Sequence, residues 1–261
     1  MSLWEGKRQE AKGKSEEALG DFTFLYTLWF YCVHLLKIKD ENFMDKVVIF
    51  GNRPFAETIY FYLKHDSEYE IVGFTVDEDH IQAESFHNLP VVPYQKLEKY
   101  YSPKEYKLFI PLGYENLNKL RAEKYYNAKK RGYSFISYVS SKAYYHGTTV
   151  GENCLILENN IIEPFSIIGD NCILTGGNYI GHHSVINDHC FIASHVVLGG
   201  GVNVGEYTFI GLNATIRNYV KIGKENIIGA GSIILSNTED EAVYSPGETA
   251  KFDVPSNLVN I

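Results

Sequence analysis

From Val150 to Ile234 an aliphatic residue stands at every sixth position, fifteen in all: Val150, Ile156, Ile162, Ile168, Leu174, Ile180, Ile186, Ile192, Leu198, Val204, Ile210, Ile216, Ile222, Ile228 and Ile234. Glycine follows eight of them directly, at 151, 169, 181, 199, 205, 211, 223 and 229. A period of six fits neither a helix at about 3.6 residues nor an alternating strand at about 2, so it marks a repeat unit. The physical solution is a coil in which each hexad forms one short strand and one turn. The aliphatic side chain points inward, and the glycine relieves crowding where the chain turns. Three hexads, 18 residues, close one triangular coil, which predicts a left-handed parallel β-helix of five coils with no inserted loop between 150 and 235.

The period can be tested inside the chain. The fifth hexad position reads Cys154, Cys172, Cys190, Thr208 on one face, Asn160, Asn178, Val196, Ala214 on the next, and Ser166, Ser184, Val202, Val220 on the third. Coils stacked about 4.8 Å apart turn these into side-chain ladders. Regular cysteines can signal a metal or redox site. Here no C-x-x-C pair exists and Cys32 is far away in sequence, so a column of small buried thiols is expected.

Upstream the pattern changes to alternating strands and helices. Lys46–Phe50, Glu70–Val76, Lys107–Leu112 and Tyr133–Val139 read as strands. Phe55–Lys64 reads as a helix with Pro54 in its first turn, Tyr94–Tyr101 as a short helix, and Glu115–Arg131 as a long helix ended by Gly132. This alternation predicts a small parallel sheet of Rossmann type. The expected organisation is an α/β Rossmann-like domain at 44–140, an all-β left-handed helix at 141–235 and a tail at 236–261.

The net charge of −8, with no basic stripe, gives no support for nucleic-acid binding. Ladder-like free cysteines fit a reducing compartment, so a cytoplasmic location is expected. Residues 1–43 differ from the rest: a charged stretch at 7–17 precedes an apolar run of 15 residues, 22–36. That run is shorter than the roughly 20 residues a membrane span needs and lacks a signal-peptide cleavage site. An extension upstream of Met44, a packed helix and an interfacial anchor remain open for it. Any membrane association is expected only through 22–36.

Two places in the α/β part carry candidate substrate-binding chemistry. In the loop Gly51-Asn52-Arg53-Pro54, backbone amides and a helix start favour a phosphate, and Arg53 can pair with a diphosphate. The loop is not G-x-G-x-x-G, so a dinucleotide is not expected. Asp77, at the end of the second strand, can accept hydrogen bonds from a base or ribose. Arg121 reads as a surface charge. In the repeat, His183, His189 and His195 are all fourth residues of their hexads and point from successive corners, so one chain cannot bring them to one metal ion. Outward or interface positions are expected for His189 and His195, and no metal is expected. His182 differs, because one coil further on stands Gly200, within Gly199-Gly200-Gly201. An imidazole beside an exposed backbone N–H is the pair acyl transfer needs. One takes a proton from the attacking group, and the other stabilises the oxyanion.

These features resemble the NeuD-type sugar O-/N-acyltransferases, hexapeptide acetyltransferases that include nucleotide-amino-sugar N-acetyltransferases of bacterial glycan synthesis. The resemblance covers about 44–250. It rests on the VVIFG start, the IVGF strand, the hexad array, the segment Gly177-Asn178-Tyr179-Ile180-Gly181-His182-His183-Ser184 and the tail Ser245-Pro246-Gly247-Glu248-Thr249-Ala250-Lys251. It implies a homotrimer with sites between adjacent β-helices, acetyl-CoA running along the coils, and a nucleotide-linked sugar held by the N-terminal domain. It further implies His182 as general base, Gly200 at the thioester carbonyl and the N–H of Asn218 at the pantetheine. Some relatives carry an acid directly after the catalytic histidine. Here His183 stands there, so both histidines are catalytic candidates, with Glu163 or Asp188 as possible orienting acids. A zinc enzyme of γ-carbonic-anhydrase kind, pointed to by His146 and His182 at a two-coil spacing, and a non-catalytic trimeric assembly module are the alternatives.

Overall fold

The computed structural model describes residues 44–247. The expectations for 1–43, including the apolar run at 22–36, and for the end of the tail fall outside the described residues. Five strands form the first sheet: β1 (Lys46–Phe50), β2 (Glu70–Val76), β3 (Ser85–Phe86), β4 (Leu89–Pro93) and β5 (Tyr106–Phe109), in the order β3-β4-β2-β1-β5. All pairs are parallel except the β3–β4 hairpin. Its turn places His87 and Asn88 at φ +50° and +63°, the left-handed pair a tight two-residue hairpin needs. Helix α1 (Pro54–His65) starts with the proline whose missing N–H costs nothing there.

Helix α2 (Lys119–Lys130) is shorter at its start than the expected Glu115–Arg131. The reason lies in Asn116, Leu117 and Asn118, all left-handed at φ +48°, +49° and +65°. That conformation suits asparagine and strains leucine. Tertiary bonds hold it: the Asn118 amide donates to the carbonyl of Tyr207 at 2.9 Å, on a β-helix corner.

The repeat folds as expected, into a left-handed parallel β-helix with three sheet faces. Thr149–Val150, Ile167–Ile168, Val185–Ile186, Asn203–Val204 and Lys221–Ile222 stack on one face. Ile161–Ile162, Tyr179–Ile180, Val197–Leu198, Thr215–Ile216 and Ile233–Ile234 stack on another. The third has seven strands, because Tyr138–Val139 and Val243–Tyr244 extend it at both ends. Tyr138–Val139 therefore joins the coils and not the Rossmann sheet, a correction to the expected last strand. The Ile136 N–H still donates to Leu108 in β5, and the Tyr138 N–H already donates to Cys154.

The hexad residues and the Cys, Asn and Ser ladders fill the coil interior and are buried, apart from half-buried Val150 at the first coil. The thiol of Cys154 lies 3.0 Å from the Gly169 carbonyl, that of Cys172 3.1 Å from Asn187, and that of Cys190 3.1 Å from Gly205. On two faces the outward strand residues meet solvent. On the seven-stranded face Leu155, Ile173 and Phe191 are buried in one cluster with Val47, Ile49, Ile59 and Phe74. The Rossmann sheet and α1 thus sit on that face through a shared apolar core, which fixes the nucleotide-type domain to the coils.

Candidate active site

The turn Gly181-His182-His183-Ser184 joins Tyr179–Ile180 to Val185–Ile186, so it forms the corner between the two five-stranded faces. The His182 N–H donates to Glu163 Oε2 at 2.8 Å, and the Tyr179 hydroxyl donates to Glu163 Oε1 at 2.7 Å. Those two bonds, the tyrosine's first, lower the Glu163 carboxyl. Glu163 holds the backbone of His182 and makes no bond to the imidazole. Asp188, the other candidate acid, accepts the N–H of Asp170 at 2.8 Å.

The imidazole of His182 lies against Gly200: a Cβ built there would be 2.6 Å from Nε2. Glycine at Gly181 and Gly199 is required by the same stacking, since a Cβ on either would fall 2.5 Å from the backbone nitrogens of Gly200 and Asn218 respectively. Among the described residues neither the Gly200 nor the Asn218 N–H makes a hydrogen bond. The structure therefore brings His182, Gly200 and Asn218 into one column on successive coils. His183 joins them, its Nδ1 3.1 Å from that of His182. His146 lies lower in the column, edge-on to Tyr144 at 5.1 Å. Among the described residues no group of three or more His, Cys, Asp or Glu is arranged to hold a metal ion.

The four substrate-binding candidates of the α/β domain also come together. Gly51, Asn52, Arg53 and Asp77 line a cavity of about 240 Å³ at the carboxyl ends of β1, β2 and β5, with Phe50 and Lys124. Gly51, at φ +131°, has no room for a Cβ, which would come 2.8 Å from that of Ala56. Arg53 is the N-cap of α1 and its side chain makes no capping bond, which leaves uncapped the first-turn amides of Phe55 and Ala56, two residues that line the cavity. Asn52 donates to the carbonyl of His80 at 3.2 Å. Asp77 is not the free acceptor expected from sequence: its Oδ1 takes Lys124 Nζ at 2.8 Å and Gln95 Nε2 at 3.0 Å.

Two residues overturn their sequence readings. Arg121 is wholly buried, not a surface charge. Its guanidinium donates to five carbonyls: Leu112 and Gly113 at the cavity wall, and Asn171, His189 and Cys190 on a β-helix corner. His189 is buried too, not outward-facing. The N–H of Ile110 donates to Asn153 Oδ1 at 2.8 Å, which orients that amide; Asn153 then donates to Asn171, and Asn171 to His189 Nδ1 at 2.8 Å. The proton of His189 is thereby set on Nε2, which donates to the Tyr126 hydroxyl at 2.8 Å. Burial pushes the imidazole down to about 4. The i, i+18 spacing of Asn153, Asn171 and His189 was visible in sequence, but the packing of the helix over them was not.

A triangular β-helix with a Rossmann-type domain on one face defines a hexapeptide-repeat acyltransferase architecture. The bacterial transferase hexapeptide family (six repeats) matches residues 147–182. No curated protein matches the chain. Among solved structures, a histidine-to-asparagine variant of perosamine N-acetyltransferase from Caulobacter crescentus, in complex with CoA and GDP-perosamine, is similar over 76% of this chain and 92% of that one, at 25% identity and TM-score 0.69. The acetyltransferase domain of PglB from Neisseria gonorrhoeae matches over 76% and 95%, at 20% identity and TM-score 0.67. WeeI from Acinetobacter baumannii matches over 77% and 96%, at 18% identity and TM-score 0.64. The latter two likenesses concern fold. Repeat, architecture and the likeness to the perosamine enzyme support the resemblance to the NeuD-type sugar acyltransferases.

Proposed function

We propose that the protein is an acetyl-CoA-dependent acetyltransferase acting on an amino or hydroxyl group of a nucleotide-linked sugar, in bacterial surface-glycan biosynthesis. The observation that carries the reading is the His182 imidazole lying on Gly200, whose N–H makes no hydrogen bond among the described residues. The perosamine enzyme supports it, because a protein of this fold binds both CoA and a GDP-linked sugar.

In this reading the sugar nitrogen or oxygen attacks the thioester carbonyl and forms the new C–N or C–O bond. His182 Nε2 takes the proton that the attacking atom loses. The Gly200 N–H donates to the oxyanion, worth about 3 kcal/mol in comparable sites. The C–S bond then breaks, and the departing thiolate takes the proton from His182. The Asn218 N–H binds the pantetheine arm. No acyl-enzyme forms, and Cys190 stays in the buried ladder.

Residues 44–140 hold the nucleotide-linked sugar, with Gly51, Asn52 and Arg53 at its diphosphate and Asp77 at the base end through its Lys124 pair. The coils at 141–235 hold CoA. The cavity belongs to the domain on the seven-stranded face, whereas His182 is on the corner opposite that face. A sugar held by one protomer therefore meets His182 of a neighbour, which requires an oligomer, and a trimer closes three prisms around one axis. The exposed apolar column Ile161, Tyr179, Val197 and Ile233 on one face supports that packing.

The test is thiol release from acetyl-CoA with UDP-, dTDP-, GDP- and CMP-linked amino and neutral sugars, for wild type and His182→Ala. Turnover with one nucleotide class, lost in the variant, is expected. Turnover that survives in His182→Ala overturns the base, and none with any nucleotide-linked sugar overturns the substrate class.

A further inference from the structure

The corner at His182 holds a second imidazole where a carboxylate would ordinarily orient the first. His183 has a left-handed backbone, φ +58°, and its N–H donates to the Pro164 carbonyl at 3.3 Å. That backbone turns its ring toward His182. The two rings stand almost perpendicular, at 86° and 5.2 Å between centroids, with their Nδ1 atoms 3.1 Å apart. Phe165, one coil below, packs on the His183 ring at 4.9 Å. The coil above contributes only Gly199-Gly200-Gly201, so nothing there competes for either Nδ1.

Two nitrogens at hydrogen-bond distance cannot both be donors or both acceptors. The pair therefore has two neutral arrangements. In one, His182 Nδ1–H donates to the lone pair of His183, which carries its own proton on Nε2. His182 Nε2, the atom facing Gly200, then has a free lone pair. In the other the proton sits on His183 Nδ1, and His182 Nε2 is protonated and useless as a base.

We propose that His183 is a positioning residue that replaces the usual carboxylate: its Nδ1 lone pair holds the His182 Nδ1 proton and so keeps Nε2 free to accept the proton of the attacking sugar group. The inference rests on the function proposed above and deepens it. When Nε2 takes that proton, the pair gains one proton and one positive charge, which the Nδ1–H···Nδ1 bond shares with His183 until the departing thiolate takes the proton back. The dyad differs from a carboxylate pair in one respect. His183 can itself be protonated, and a proton there converts its Nδ1 from acceptor to donor and forces His182 into the inactive arrangement. The charged neighbour is Glu163, bonded to Tyr179 and to the His182 N–H; it is on the coil below and touches neither Nδ1.

The test compares wild type, His183→Phe and His183→Asp by thiol release across pH 5–9, with coenzyme A binding measured separately. Phenylalanine keeps the packing on Phe165, and Phe165 and Tyr219 already take the same left-handed backbone in this column, so the corner folds. The expected result is a kcat lower by about 10- to 100-fold in His183→Phe with coenzyme A affinity unchanged. In His183→Asp, kcat recovers and the acid limb of the profile moves to higher pH, because a fixed carboxylate favours the protonated base. Unchanged kcat and profile in His183→Phe overturn the proposal. If His182→Ala is also fully active, the proposed base fails as well; if His182→Ala is dead while His183→Phe is normal, only the dyad fails.

Discussion

The Nε2 edge of His182 lies directly on Gly200, so that a single methyl group at residue 200 would have to sit 2.6 Å from it. Gly200 has no left-handed backbone and is not strained as an L-residue, so Gly200→Ala threatens the imidazole and not the fold. The expected outcome is a cooperative melt within about 1 kcal/mol of wild type and thiol release lower by about 100-fold or more. Activity unchanged in Gly200→Ala would show that the contact has no role in turnover.

His189 makes stability depend on pH in a defined window. Its folded value, about 4, is below the ordinary 6.5, so the folded state binds its proton less readily than the unfolded chain. The stability this contributes is present above 6.5 and is lost as pH falls toward 4. Burial is the leading cause; Asp188, Asp170 and Glu206 oppose it and Arg121 adds to it. Urea melts of wild type and His189→Asn between pH 7 and 4 should diverge in slope, with the variant flatter across that window.

Asp66 acts lower. Bonds from Ser141 and the Tyr138 hydroxyl hold its carboxyl at about 2, against an ordinary 3.8. Its contribution is present above 3.8 and disappears as pH falls toward 2. Asp66→Asn is expected to remove that step and leave the His189 window intact, which acid unfolding followed by circular dichroism can resolve.

Arg121→Met leaves five buried carbonyls without their donor. A loss of about 3 kcal/mol or more is expected, since orphaned buried acceptors lose more than a net hydrogen bond contributes. The midpoint of urea unfolding should fall accordingly; a shift under about 1 kcal/mol would mean that water replaces the guanidinium.

The thiol ladder should be silent in the native protein. Burial pushes the Cys154 and Cys172 thiols well above their ordinary value, and all three ladder cysteines are fully buried. Alkylation without denaturant, mapped by mass spectrometry, should leave Cys154, Cys172 and Cys190 unmodified, and modification in urea should reach all three. Native labelling of Cys190 would reopen an acyl-enzyme.

The coils were legible in sequence because every hexad sees the same surroundings, so local pattern and global position carry the same information. The stack of His182 on Gly200 followed from register, and Asn218 entered through the family resemblance. Arg121 and His189 did not, because their burial comes from α2 packing on a β-helix corner, a contact between segments 50 to 70 residues apart. Asp77 was placed correctly at a strand end, but its partner Lys124 lies 47 residues further on, in α2. Asn116 to Asn118 shortened α2 through a bond to Tyr207 that no local propensity records.

The stacking of the coils also dictates how this chain can change in length. Columns repeat every 18 residues while strands repeat every six, so losing one hexad keeps every remaining strand intact yet turns all later coils by one face of the prism. Cut between His182 and Gly200, such a loss would carry Gly200 away from the imidazole without breaking the barrel of strands. Only whole turns are neutral currency for the site, and any other gap between two coil sequences signals either an outward loop or a misaligned column.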